Sequence, residues 1–238
     1  MKIDKYIRLS GYTSRRKAFE LIEEHRVFVN GKAADFGSKI NKGDVVLIDG
    51  KQILEKEFVP VYLVYNKPKG IICTTEKIEN NIIDAINYGA AIYPVGRLDK
   101  DSEGLILLTN QSELINKITH SKFGHEKEYM VTLNLPVRTK FLKEISEGVV
   151  IKGEKTKPCK VAKEPGTKRI FRIILTQGLN RQIRRMCSQF GYQVIKLQRI
   201  RVLNITLEKL KTGEWRNMHA SELEELLKQI EITSHNSA

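Results

Sequence analysis

Apolar positions change their period along the chain. Near the start they recur at helical spacing: Ile3, Tyr6 and Ile7 alternate with charges over residues 2–9, and Gly11 closes that short helix. Ala18, Leu21 and Ile22 mark the buried stripe of a second helix, capped by Thr13 or Ser14. The period then shortens. Residues 27–29 run into the hairpin signal Asn30-Gly31, and residues 45–48 lie between Gly43-Asp44 and Asp49-Gly50. Two short helices and a small hairpin make a first domain over residues 1–58, in which the charged stretch 51–58 reads as a linker.

From residue 59 to 238 short apolar runs dominate. Strands are predicted at 61–65, 92–95, 105–108, 126–133, 157–163, 170–176 and within 194–207. Helices are predicted at 112–121 with Ser112 as cap, at 180–191 between Asn180 and Gly191, and from Ser221 with Glu224 completing a capping box. In the last, Leu223, Leu226, Leu227 and Ile230 form the stripe. Several strands with few helices between them argue for an α+β fold, with a mixed, mostly antiparallel sheet instead of a doubly wound one.

Charge adds a partner to this picture. The 238 residues carry 41 Lys and Arg against 28 Asp and Glu, a net charge of +13, which suits a polyanion and nucleic acid first. Residues 165–207 hold nine basic residues and no acid, so they form a phosphate-facing surface or a counter-ion store for acids elsewhere. On helix 180–191, Ile183, Met186, Cys187 and Phe190 share one face, while Arg181, Arg184, Arg185 and Ser188 share another. Arg15, Arg16 and Lys17 sit in the first turn of their helix, where the dipole disfavours cations. Free amides and three cations there would grip a phosphate, against the plainer reading of a solvated surface.

Several chemistries are absent from the pattern. There is no glycine-rich phosphate loop of nucleotide-binding spacing. The three cysteines, Cys73, Cys159 and Cys187, are scattered, which suggests neither a disulfide framework nor a zinc cluster. The five histidines lack metal-ligand spacing, and His120 and His125 read as ordinary surface or loop residues. Chemistry must therefore rest on carboxylate, guanidinium and aromatic groups, with no cofactor and no metal. The N-terminus lacks a signal-like apolar stretch and no run approaches the ~18 residues of a membrane span, so a cytoplasmic protein without membrane contact is expected.

The densest polar turn lies between the apolar runs 92–95 and 105–108 and carries Arg97, Asp99, Asp101 and Glu103. An isolated Asp in a turn ordinarily caps a backbone amide. Its surroundings here are less ordinary. Gly96-Arg97-Leu98-Asp99-Lys100-Asp101-Ser102-Glu103-Gly104-Leu105, Lys127-Glu128-Tyr129 and Asn180-Arg181-Gln182-Ile183-Arg184-Arg185-Met186 together resemble the three active-site motifs of RNA pseudouridine synthases. Ser14-Arg15-Arg16, Ala18, Leu21-Ile22, Val27, Val29-Asn30-Gly31 and Gly43-Asp44 resemble the S4 RNA-binding domain. An S4-like domain in front is the arrangement of the RsuA branch. Within it, His125-Glu126-Lys127-Glu128-Tyr129 and the segment 177–182 are most similar to the RluF type, which acts on large-subunit (23S) ribosomal RNA.

The resemblance implies a cofactor-free isomerisation of one uridine to pseudouridine, in ribosomal RNA or an assembly intermediate, by a protein acting as a monomer. It makes Asp99 the catalytic aspartate, Tyr129 the aromatic under the target base, and Arg184 the basic partner of the aspartate. Arg97 stands beside the aspartate, with a role in ejecting the base. Arg181, Arg185, Arg15, Arg16 and Lys17 join it as substrate-binding residues. Whether the carboxylate attacks sugar or base, or withdraws a proton to give a glycal, stays open. So do three other readings: a non-catalytic S4-type RNA-binding or assembly protein, a synthase acting on 16S ribosomal RNA or tRNA, and a metal-dependent nuclease using Asp99, Asp101 and Glu103.

Overall fold

The computed structural model describes residues 1–13, 15–54 and 59–235, apart from the side chains of 121 and 232–235. The chain divides into two compact units, Met1–Val59 and Pro60–Ala238.

In the small unit, helices α1 (Ile3–Leu9) and α2 (Arg15–Glu23) pack on strands β1 (Val27–Val29), β2 (Lys32–Ala33), β3 (Val46–Ile48) and β4 (Lys51–Ile53). The strands form an antiparallel sheet in the order β2-β1-β3-β4. Asn30 and Gly31 both take positive φ, as a two-residue hairpin turn demands. Ile3, Ile7, Ala18, Leu21, Ile22, Val27, Val46 and Ile48 make the core. Of the expected α2 caps, Ser14 lies outside the described residues. Residues 51–53 are not linker: they form β4, hidden in the sequence because only Ile53 of the three points inward. The rest of that stretch, 55–58, lies outside the described residues.

The large unit is built on one mixed sheet. Its strands are β5 (Tyr62–Lys67), β6 (Tyr93–Val95), β7 (Glu103–Thr109), β8 (Lys127–Leu133), β11 (Lys160–Lys163), β12 (Ile170–Leu175), β13 (Val194–Val202), β14 (Ile205–Thr206) and β15 (Trp215–Asn217). The main order is β11-β12-β8-β13-β7-β5-β15, with β6 on β7 and β14 on β13. Among the described strand pairs of this sheet, β13 and β7 run parallel and the others antiparallel. A separate small ribbon joins β9 (Val150–Ile151) to β10 (Glu154–Lys155).

Period-two alternation sorts the strands' side chains into two cores. One face carries Leu63, Tyr65, Ile106 and Leu108 under α3 (Ile82–Ile86), and Val131, Leu133, Phe171 and Ile173 under α5 (Thr139–Ser146) and α6 (Gln182–Ser188). The other carries Val64, Leu105, Leu107 and Val202 under α4 (Ser112–Thr119) and α7 (Ala220–His235). Strand β7 is covered on both sides, which is why its apolar run is continuous. Among the described residues no helix is long and apolar enough to cross a membrane.

The predicted caps are displaced. Gln111, not Ser112, precedes α4, and Arg181, not Asn180, precedes α6; neither supplies a side-chain cap. At α7 it is Glu222 that accepts from the His219 amide, at 2.9 Å, replacing the expected Ser221 and Glu224 box. Leu227 faces outward, leaving Leu226 and Ile230 as the buried stripe. His125 is a core residue: it is buried, its Nε2 lies 3.0 Å from the Lys117 carbonyl oxygen, and burial pushes its pKa down.

Candidate active site

The turn between β6 and β7 is held by its backbone. Val95 pairs with Leu107, Gly96 reverses the chain at positive φ, and the Ser102 amide donates to the Asp99 carbonyl at 3.0 Å. Buried Leu98 anchors the turn, its amide 3.4 Å from Cys73 Sγ. The Gly70 amide donates to the Lys100 carbonyl at 2.7 Å. A turn clamped at both ends presents the Asp99 carboxylate, 33% exposed, to one cavity.

That cavity measures about 520 Å³ and is lined by Arg97, Asp99, Ser102, Tyr129, Gln177 and Arg181, with Leu197 and Ile183 among its apolar walls. Tyr129 enters from β8, opposite Arg199 on one side and Ile173 on the other. Four of the expected site residues, Arg97, Asp99, Tyr129 and Arg181, therefore meet at one place. The other five do not line it.

Arg184 differs from its expected position opposite Asp99. Its Nη2 donates to the Asp101 carbonyl at 3.0 Å and its Nη1 to the Val194 carbonyl at 2.9 Å, while its Nε lies 3.4 Å from the Asp101 carboxylate. The guanidinium near Asp99 belongs to Arg181, with Nη1 3.8 Å from Oδ2. The local fold explains the exchange: Arg181 takes a left-handed conformation (φ +53°) just before α6, which brings it to the cavity, and Arg184 follows one helical turn later. Arg181 also binds Asp101 through both Nη atoms, at 2.9 and 3.0 Å. This hydrogen-bonded ion pair holds the Asp101 carboxyl below its usual range, against a smaller opposing effect of burial.

Arg185 does not itself line the cavity but donates, at 2.8 Å, to Oδ1 of Asn180, which does. In the small unit, Arg15 Nε pairs with Asp4 at 3.1 Å and Lys17 with Glu20 at 2.7 Å, so two of the three first-turn cations are already engaged. Asp101 and Glu103 are likewise taken by Arg181 and by Lys196, at 2.9 and 2.7 Å. Among the described residues no group of three His, Cys, Asp or Glu is placed to hold a metal ion.

Other residues of this region escape sequence reasoning. Lys67 is fully buried at the end of β5, its Nζ donating to the carbonyls of Pro68 and Ile71 at 3.0 and 2.8 Å. Burial pulls its pKa down, opposed by Cys73, Asp101, Asp99 and Glu103. In sequence it looks like one more turn lysine of Asn66-Lys67-Pro68-Lys69-Gly70. Arg199, 3% exposed, donates to the Leu105 carbonyl at 2.6 Å and is indistinguishable in sequence from its basic neighbours. Gln182 Oε1 accepts from the Leu179 amide at 3.0 Å and fixes the loop before α6.

The comparisons agree with this geometry. A profile of RNA pseudouridylate synthases matches residues 61–189, and a profile of the S4 domain matches residues 1–46. The chain is 48% identical over 236 residues to the dual-specificity RNA pseudouridine synthase RluF of Escherichia coli (strain K12), covering 98% of this chain and 81% of that one. It is 35% identical over 234 residues to the ribosomal large subunit pseudouridine synthase B of Bacillus subtilis (strain 168), covering 94% and 95%. A crystal structure of a pseudouridylate synthase superposes with a TM-score of 0.68 at 29% identity, covering 95% of this chain and 99% of that one. With its S4 domain in front, the chain belongs to the RNA pseudouridylate synthase family, in the RsuA branch and of the RluF type.

Proposed function

We propose that this protein converts a specific uridine of large-subunit ribosomal RNA to pseudouridine, with Asp99 as its catalytic carboxylate. The observation that carries the proposal is the meeting of Asp99 and Tyr129 on a single cavity, of a size ordinary for small-molecule sites. The reaction breaks the bond from ribose C1′ to N1, turns the uracil, joins C5 to C1′ and releases the C5 proton, while the freed N1 takes up a proton. Atoms and electrons balance within the substrate, so the step asks for no cofactor. The names of the Escherichia coli and Bacillus subtilis relatives support RNA, and in the second case the ribosomal large subunit, as the substrate class.

In this reading Tyr129 offers a face for the extruded base, a stacking worth ~1–3 kcal/mol. Extrusion costs a few kcal/mol, recovered through backbone contacts. Arg97 from the cavity wall and Arg185 beside Asn180 supply cations for the substrate, and the S4 unit with Arg15, Arg16 and Lys17 supplies phosphate contacts. Arg184 contributes indirectly, by holding the Asp101 segment of the catalytic turn. The protein works as a monomer in the cytoplasm, where ribosomal RNA is assembled.

The test uses ribosomal RNA transcripts tritiated at uridine C5, with label release as the readout. Wild type releases label, and Asp99→Asn binds the RNA without releasing it. Asp99→Asn at wild-type rate overturns the assigned role. Salt-sensitive binding with no release by wild type would favour a non-catalytic RNA-binding protein. Because the Escherichia coli relative is named dual-specificity, small-subunit ribosomal RNA and tRNA belong in the same assay.

A further inference from the structure

The cavity wall contains polar groups that the protein leaves incomplete. Gln177 follows β12 and is only 9% exposed. Its Oε1 accepts from the Lys157 amide at 3.2 Å, which identifies the oxygen end of the carboxamide and leaves the donor end, Nε2, without a partner. Ser102, in the catalytic turn and 1% exposed, has an unpartnered Oγ. Both residues line the cavity that holds Asp99 and Tyr129. Buried polar groups are nearly always paired, so two orphans on one cavity mark a wall that a polar ligand completes.

We infer that Gln177 is a specificity-determining residue that donates from Nε2 to a carbonyl oxygen of the uracil being isomerised. The inference rests on the uridine-isomerising reading above. Nε2 is closed to solvent, so pairing requires the end of the side chain to turn toward the entering base. A donor is the right group for this task. Uracil presents acceptors at both O2 and O4, whereas cytosine carries an amino group in place of O4 and would set donor against donor there.

The chemistry adds a second reason. Turning the detached ring about its N3–C6 axis exchanges N1 with C5, as the reaction requires, and in the same motion exchanges O2 with O4. A fixed donor therefore meets a carbonyl before and after the turn. Gln177 is suited to hold the base in both orientations and to keep it from leaving while no covalent bond joins it to the ribose.

The test compares wild type with Gln177→Leu by single-turnover label release. The transcripts are either ordinary or contain sulfur in place of uridine O4 or of O2, sulfur being the weaker acceptor. Gln177→Leu is expected to slow release about tenfold on ordinary RNA, the size of one lost hydrogen bond. One of the sulfur replacements should slow wild type to a similar degree while adding little to the loss in Gln177→Leu, since the interaction is already gone. A merely structural defect in the variant would instead multiply with the sulfur effect. Losses that multiply for both replacements overturn the inference alone. Failure of wild type to release label from any ribosomal RNA overturns the reading beneath it.

Discussion

Arg181 grips Asp101 with both ends of its guanidinium, and in that grip it stands at ion-pair distance from Asp99 without closing on it. Asp101 is thus a positioning residue for the cation nearest the proposed catalytic carboxylate, Asp99. Lysine has no planar fork and cannot make the paired contact. Arg181→Lys is expected to slow single-turnover label release about tenfold while leaving thermal unfolding near wild type. Asp101→Ala frees the same guanidinium and should cause a loss of similar size. Either variant at full rate would remove Arg181 from the site.

Gly104 and Arg199 make the parallel pairing of β7 with β13 possible. A Cβ on Gly104 would collide with the Arg199 carbonyl oxygen and stand 2.7 Å from its nitrogen, and the residue sits at φ +103°. Steric overlap with backbone has no flexible side chain to absorb it. Gly104→Ala is expected to lose more than about 4 kcal/mol of stability, enough to prevent recovery of folded protein at 37 °C. A soluble Gly104→Ala protein with an unchanged urea midpoint would mean that the two strands separate at little cost.

Arg16 and Lys17 lie side by side in the first turn of α2, yet their electrostatic settings differ. Lys17 pairs with Glu20 at 2.7 Å, and among the described residues no ion pair engages Arg16. A cation already neutralised releases fewer counterions when it meets a phosphate. Arg16→Ala should reduce the slope of log affinity against log salt by roughly 0.9, and Lys17→Ala by less. Equal slopes for the two variants would show that the Glu20 pair opens on binding.

How much of this was legible in advance depends on the length scale of the signal. The Asp99 turn was readable because its apolar flanks are consecutive residues, and the family motifs gather Asp99, Tyr129 and Arg181 although they come from the turn before β7, from β8 and from the residue preceding α6. The identity of the nearest guanidinium was not readable. Arg181 and Arg184 both fall on the polar side of the helix predicted over 180–191, and only the left-handed turn at Arg181, before α6 begins, brings it to Asp99. Helix α5 and strand β4 were missed because each is short, so its few inward residues cannot establish a period. Lys67, Gln177 and Arg199 were missed for a different reason: polar side chains become buried through partners distant in sequence, and nothing local records it.

A further base in a charge-disfavouring setting is Lys127, half-buried at the start of β8. Burial, with Arg199 adding a smaller repulsion, lowers its pKa from 10.5 to about 8, and its Nζ donates to the His125 carbonyl, at 3.3 Å. The sign follows from linkage. Between about 8 and 10.5 the unfolded chain holds this proton and the folded chain does not, so the contribution of Lys127 to stability becomes more favourable as pH rises through that window. Below about pH 8 the full cost of burying the charge is present, at most about 3 kcal/mol. Lys127→Met removes the charge and keeps the length. It should be more stable than wild type at pH 7, with an advantage that shrinks toward pH 10.5. Urea unfolding of both proteins across that range measures the difference directly, and an advantage that stays constant with pH would mean that Lys127 is not held in a desolvated, charge-disfavouring site.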